Sequence, residues 1–370
     1  MIWQGHWLMP REETKMQTYN YLANELPREL IEVYNDLQSD VLKIIVKRLK
    51  QGVSVEKVFQ EIRDKVDNYN PQIEKVLQII FADSKKKTVK DNKKEFEHET
   101  EEKQPVDNNE ANSLIAPALI GGLAILSQLN RKIVNNAINE YSKDYTYVNS
   151  AYGNKDVRLK QVYKDLAKKG ITIYESFGGG KSKNYSIENI LRRDVMYKVN
   201  QANAKVNMEN FKKSSAKFIQ VSSHPTARTW NKYMKHPYED HSSWQGKVYY
   251  SRDGEVVDGY AEFESTCGYG EILGIGGINC YHQFQMSYTG DSTATKYDEK
   301  EVERNYELSQ QQRSFERAIR QLKQAKSVYE EAGEDLLAKN IQKNISMATS
   351  QLKSFCEKNG LKYYNWRTKV

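Results

Sequence analysis

The side chains best suited to chemistry lie in three short stretches: Ser222-Ser223-His224-Pro225-Thr226-Ala227-Arg228, then His241-Ser242-Ser243-Trp244-Gln245-Gly246, then Gly274-Ile275-Gly276-Gly277-Ile278-Asn279-Cys280-Tyr281-His282. His224, His241, Cys280 and His282 carry nitrogen and sulfur donors of the kind zinc takes in a tetrahedron. The paired C-x2-C spacing of many zinc sites is missing, but Cys280-x-His282 puts two donors on one face of an extended segment. The same residues also read as a hydrogen-bonding set. Arg228, charged at all working pH, can bridge carbonyls or a carboxylate through its planar fork. His224 and His241 would then orient it or cap loops, Asn279 would fix a turn, and Trp244 would sit in the core. A catalytic reading needs more. A metal-dependent nuclease or a Cys280 thiol nucleophile requires a group that orients the imidazole, and Asp240 or Glu239 would have to supply it.

Two glycine-rich stretches resemble nucleotide loops without their context. Gly180-Lys181-Ser182 has Glu175 where a phosphate loop needs its first glycine. Gly274-x-Gly276-Gly277 lacks the spacing and βαβ setting of a dinucleotide fingerprint. No nucleotide is assigned.

The elements that must position these groups follow from periodicity. Leu30, Val33, Tyr34, Leu37, Val41, Leu42, Ile45 and Leu49 recur at helical steps, and 55–66 and 71–81 repeat the pattern, with Pro71 expected at a helix start. Residues 1–82 thus read as an N-terminal helical region. From 83 to 112 apolar residues thin out and Lys85-Lys86-Lys87, Lys93-Lys94, Glu95, Glu97, Glu99, Glu101 and Glu102 dominate, so the composition predicts a flexible charged linker. A helical segment follows over 113–216. Within it Val157–Lys169 is a helix stopped by Gly170, Ile171, Ile173 and Phe177 alternate as a strand, and Ser186 caps a helix faced by Ile187, Leu191, Val195, Val199, Ala202 and Val206. Residues 217–298 are strand- and turn-rich, with strands expected at Phe218–Val221 and Lys247–Tyr250 and a hairpin at Asp253-Gly254. C-terminal helices occupy 299–370, one faced by Phe315, Ile319, Leu322, Ala325 and Tyr329, the next by Leu337, Ile341, Ile345, Ala348, Leu352 and Phe355. The fold class is therefore α+β: helical N- and C-terminal regions flanking a small Gly/His-rich α+β domain.

Composition narrows the function classes. With 38% hydrophobic and 28% charged residues the chain can build a core, and its net charge of +7 tolerates nearby nucleic acid without the extreme charge of a dedicated DNA condenser. Cys267, Cys280 and Cys356 are odd in number and show no pairing pattern, which argues against a disulfide scaffold. The start, Met1-Ile2-Trp3-Gln4-Gly5-His6-Trp7, does not read as a secretory signal. The apolar run Leu114–Leu126 is shorter than the ~20 residues a bilayer needs, so a buried helix and no stable membrane span are expected.

The three stretches together, in this order, resemble the phage minor capsid protein 2 family, a relative of the phage Mu gene F-like head proteins. Its pattern is Ser-x-His-x-x-Ala-Arg, a His followed by Trp-Gln-Gly, a glycine-rich segment, and a closing Asn-Cys-x-His. The structural motif would then be His224, Arg228, His241, Trp244, Gln245, Gly246, Asn279, Cys280 and His282. Leu191-Arg192-Arg193-Asp194-Val195 with Asn200-Gln201 resembles the family's Arg-Arg helix, and Gln312-Arg313-Ser314-Phe315-Glu316-Arg317-Ala318-Ile319-Arg320 its C-terminal helix. The gap from Arg228 to His241 is longer than in the pattern, as if 230–240 were inserted. The resemblance implies a few copies of a non-enzymatic structural head protein of a tailed phage. Its partners would be the portal protein and other capsid proteins, close to packaged DNA. It would act in head morphogenesis and possible DNA ejection, in the virion and, during assembly, in the host cytoplasm. No cofactor is implied, and zinc on His224, His241, Cys280 and His282 stays open beside the hydrogen-bonding reading. The alternative function is a metal-dependent hydrolase or nuclease carried in the phage head.

Overall fold

The computed structural model describes residues 25–370, apart from 101, 151–152, 178–180 and 252–256. The expected hairpin at Asp253-Gly254 and the glycines Gly178–Gly180 lie outside the described residues. The fold is α+β, long helices around a small antiparallel sheet. The elements are α1 (Arg28–Gln51), α2 (Val55–Glu95), α3 (Asn108–Val148), α4 (Lys155–Lys169), β1 (Ile173–Phe177), β2 (Lys181–Tyr185), α5 (Ile187–Ile190), α6 (Met196–Lys213), β3 (Phe218–Val221), α7 (His241–Trp244), β4 (Val248–Tyr250), α8 (Phe263–Cys267), β5 (Phe284–Ser287), α9 (Glu299–Ala332) and α10 (Asp335–Lys358). One π-helical turn, Leu191–Val195, joins α5 to α6.

The five consecutive regions read from the sequence are not the structural divisions. Two compact units form instead, each from segments distant in sequence. The first joins Gln78–Gly121 to Arg193–Glu307, and the second joins Arg28–Leu77, Gly122–Arg192 and Leu308–Val370.

In the first unit, β3 is central, with β4 and β5 antiparallel on either side. Ile219 pairs with Tyr249 on one side and with Met286 on the other. β5 was not legible as a strand because only four residues long, with one apolar face, it offers too little alternation to register. The sheet packs with Phe96, Met208, Phe211, Trp244, Phe263, Cys267 and Cys280 into one core.

The stretch 83–112 corrects the linker expectation. α2 continues unbroken through Glu95, a 3-10 turn spans Phe96–His98, and α3 begins at Asn108. Val89, Phe96 and Val106 are buried, and so are the polar Ser84, Thr88 and Asn92. The charges cover an outer face, while burial of the small polar residues supplies what composition alone denied the segment. Pro71, expected at a helix start, lies inside α2. Val66 and Ile73, buried on either side of it, hold the helix continuous across the missing N–H.

The second unit buries the predicted face of α1, with Leu37, Val41 and Ile45 fully enclosed. Tyr34 Oη donates to Asn130 Oδ1 at 2.8 Å, and Asn130 Nδ2 donates to Asn70 Oδ1 at 2.6 Å. β1 and β2 make a hairpin, so the residues after the glycines, read as loop, are a second strand. Ser186 caps α5 as expected, accepting from the Asn189 amide, and Gly170 stops α4 with a φ of 59°. Glu188 binds Arg192 at 2.8 Å and Arg320 at 2.5 Å, tying the Arg-Arg segment to α9. Glu316 on the same helix faces Arg367 at 3.4 Å.

The apolar part of α3 is not the buried helix expected. Its most apolar 18-residue window has a mean hydropathy of 1.5, yet only 28% of it is buried. Ala116, Pro117, Ile120 and Ala124 are exposed, Ile120 to 66%. By length and composition this helix would suffice to cross a bilayer.

Candidate histidine–cysteine centre

Folding brings the three chemical stretches together in the first unit. His241 opens α7, held there by Asp240, whose carboxylate accepts from the Ser242 amide at 3.1 Å. Cys280 and His282 follow a tightly wound glycine segment. A Cβ on Gly274 would meet the Gly268 carbonyl oxygen at 2.0 Å, and one on Gly277 would meet that of Ile272 at 2.4 Å, so only glycine lets this backbone fold onto itself. Asn279 then adopts φ 56°, the one positive-φ non-glycine among the described residues.

One ring nitrogen each of His241 and His282 and the sulfur of Cys280 lie within 4.8 Å of one another, and all three residues are buried. His282 Nδ1 is 3.7 Å from Cys280 Sγ. The Nε2 atoms of both rings meet oxygen acceptors, His241 on the Leu273 carbonyl at 2.8 Å and His282 on Gln245 Oε1 at 3.2 Å. The same Gln245 oxygen accepts from the His224 amide at 2.9 Å. The His224 ring stacks on His282 at 4.1 Å between centroids, and Trp244 meets His282 edge-on at 4.8 Å. Arg228 donates to the carbonyls of Leu273 at 3.3 Å and Ile278 at 2.5 Å, clamping the two ends of the glycine segment. Gly246 donates its amide to Ser222, joining the second stretch to the first.

Burial governs the ionisation. It pushes His224 down to about 3 and holds His241 and His282 well below the usual imidazole range, the Arg228 guanidinium adding to the effect on both. All three rings are neutral at neutral pH. Burial raises the Cys280 thiol, against the pull of amides from His282, Gly276 and Gly277 and of Arg228, all of which favour the thiolate.

Every residue of the expected motif therefore converges on one small volume. The carboxylates considered for a catalytic role do not. Asp240 holds Ser242, and Glu239 Oε1 accepts from the amides of Lys235 and His236, each at 3.1 Å. Trp230 and Tyr233 in the longer gap are 55% and 78% exposed, so that segment bulges outward before Trp244 Nε1 donates to the Tyr238 carbonyl at 2.9 Å.

Sequence reasoning missed the framework that fixes this centre. Asn200, Asn203, Asn207 and Asn210 run along α6 at helical spacing. Asn200 donates to the Cys280 carbonyl at 2.7 Å and Asn207 to that of Phe284 at 3.0 Å. Asn203 bonds Ser84 at 2.8 Å, and Asn210 accepts from the Val106 amide at 2.8 Å. The signal was present as four asparagines three and four apart on one face that also carries Val199 and Val206.

The family model for phage minor capsid protein 2 matches residues 20–357. The chain belongs to that family: it is a structural protein of a bacteriophage, a minor capsid protein located in the virion. A structural protein of Lactococcus phage LL-H is 30% identical over 179 residues, 47% of this chain and 45% of that protein. A structural protein of Lactococcus phage mv4 is 34% identical over 94 residues, 25% of this chain and 76% of that protein. The chain thus matches about half the length of the first of these relatives. No solved structure matches.

Proposed function

We propose that this minor capsid protein acts as a non-enzymatic, portal-associated element of head morphogenesis, assembled in the host cytoplasm and positioned where packaged DNA leaves the head during ejection. The observation that carries the reading is the uncovered apolar stretch of α3. From Ala111 to Asn130 there is no charged residue, and most of its most apolar window is not buried among the described residues. Such a surface calls for a neighbour, and in a phage head the neighbour is another structural protein. The net charge of +7 suits a place beside DNA. The hydrolase reading fares worse, since His241 and His282 are each 1% exposed and Asp240 and Glu239 hold backbone amides instead of an imidazole.

Co-expression of the full chain with the portal protein of the same phage tests this. The two are expected to co-purify, and Ile120→Glu, at a site already exposed, is expected to abolish association while leaving the melting temperature unchanged. Absence of association with wild-type protein under assembly conditions overturns the portal assignment.

A further inference from the structure

Beyond an assembly role, the first unit contains a donor set whose arrangement exceeds what a hydrogen-bonded core needs. We propose that His241, Cys280 and His282 bind a zinc-class divalent cation as a structural site, while the His224 ring stacks on that of His282 outside the three donors.

Three features of the geometry converge. The first is the donor type: two imidazoles and one thiol, mutually within 4.8 Å and drawn from two separate stretches. The second is spacing. Metal–sulfur and metal–nitrogen bonds of ~2.3 and ~2.0 Å set the two donor atoms about 3.5 Å apart across a tetrahedral angle. Cys280 Sγ and His282 Nδ1 stand at 3.7 Å. The third is the outer shell. A metal-bound histidine characteristically donates its other ring N–H to a carbonyl or carboxylate, which fixes the tautomer. Here the Nε2 atoms of His241 and His282 already meet the Leu273 carbonyl and Gln245 Oε1, so Nδ1 is the nitrogen left with a lone pair in each ring.

Arg228 opposes the site, since its guanidinium bears on His241, Cys280 and His282 alike. Binding answers this by charge balance. The Cys280 S–H bond breaks, its proton leaves to solvent, and the sulfur electron pair forms the metal–sulfur bond, so one negative charge enters with the cation. A groove of about 780 Å³ is lined by Ser222, Ser223, His224 and Tyr281, and the His224 ring that borders it stacks on His282.

The test uses the full chain, purified without chelator, with elemental analysis and titration of cobalt(II) into metal-depleted protein. The expected results are about one zinc per chain and, on cobalt addition, a near-ultraviolet thiolate-to-metal charge-transfer band that disappears on titration with zinc. Cys280→Ser is expected to lose the band and Cys356→Ser, a thiol in the other unit, to keep it. A chelator should lower the melting temperature of wild type. Wild-type protein that takes up cobalt without a thiolate band, or binds neither metal, overturns the site whether or not Cys280→Ser folds. Retention of both band and zinc by Cys280→Ser overturns the ligand assignment.

Discussion

Single residues in this chain carry their weight through the carbonyls and amides they hold. Arg228 is the clearest case, because its two terminal nitrogens reach opposite ends of the glycine segment. A lysine keeps the charge but offers no fork. Arg228→Lys is expected to destabilise the first unit by about 2 kcal/mol, the worth of a charged hydrogen bond lost to a carbonyl, read as a lowered urea midpoint with unchanged slope. Two acids add pH dependence. Glu95 accepts from the Met286 amide, and burial pushes its carboxyl up to about 8. Its folded-state value exceeds the ordinary one near 4.5, so the folded chain holds a proton the unfolded chain releases. That stability is complete below pH 4.5 and is lost as pH rises through 8, with a slope of at most about 1.4 kcal/mol per pH unit. Glu95→Gln is expected to flatten this part of the stability–pH curve, and an unchanged slope would refute the assignment. Asp144 is buried, its Oδ2 without a hydrogen-bond partner, and burial raises it to about 7. Asp144→Asn should raise the melting temperature at pH 8 and leave it unaltered at pH 4. At this scale the sequence was informative about which residues converge: His224, Arg228, His241, Asn279, Cys280 and His282 were all singled out by type and order. Their partners were not, because Leu273 and Ile278 act through backbone oxygens, which any residue type supplies.

Helices and strands were legible where one face is continuously apolar, as in α1, α4 and α10, and illegible where polar residues are buried. α6 shows the reason. Its asparagines look like surface residues in a hydropathy pattern, yet Asn200, Asn203 and Asn210 are 2%, 2% and 0% exposed. Each meets a different segment, so the helix works as a spine to which residues 84, 106, 280 and 284 are fastened. The same pairing explains α2. Ser84, Thr88 and Asn92 recur every fourth residue opposite Asn203 and Asn207, so a segment that composition marks as a linker is a packed helix. Asn203→Ala removes the partner of two buried hydroxyls and is expected to cost about 1–3 kcal/mol. Hydrogen exchange should show the loss as faster exchange over residues 84–92, and a uniform change across the first unit would argue against this local role.

Across the whole molecule, periodicity and composition could describe each stretch but not which stretches share a core. They suggested five consecutive regions, while the two units interleave, because a hydrophobic face records that it needs a partner and not how far along the chain the partner lies. The one strong tertiary clue was the ordered set of motifs over 222–282, and it fell entirely inside the first unit.

That interleaving bears on how the protein is made. The second unit needs Arg28–Leu77 together with Leu308–Val370, so its earliest segment must wait for the synthesis of 308–370 before its core can close. Closing loops of this length slows folding and lengthens the exposure of unpaired apolar surface. A ribosome that stops near residue 307 would release a product able to complete only the histidine-bearing unit. Conversely, a protease that nicks the finished chain in one exposed turn would yield two fragments that still migrate together until denatured.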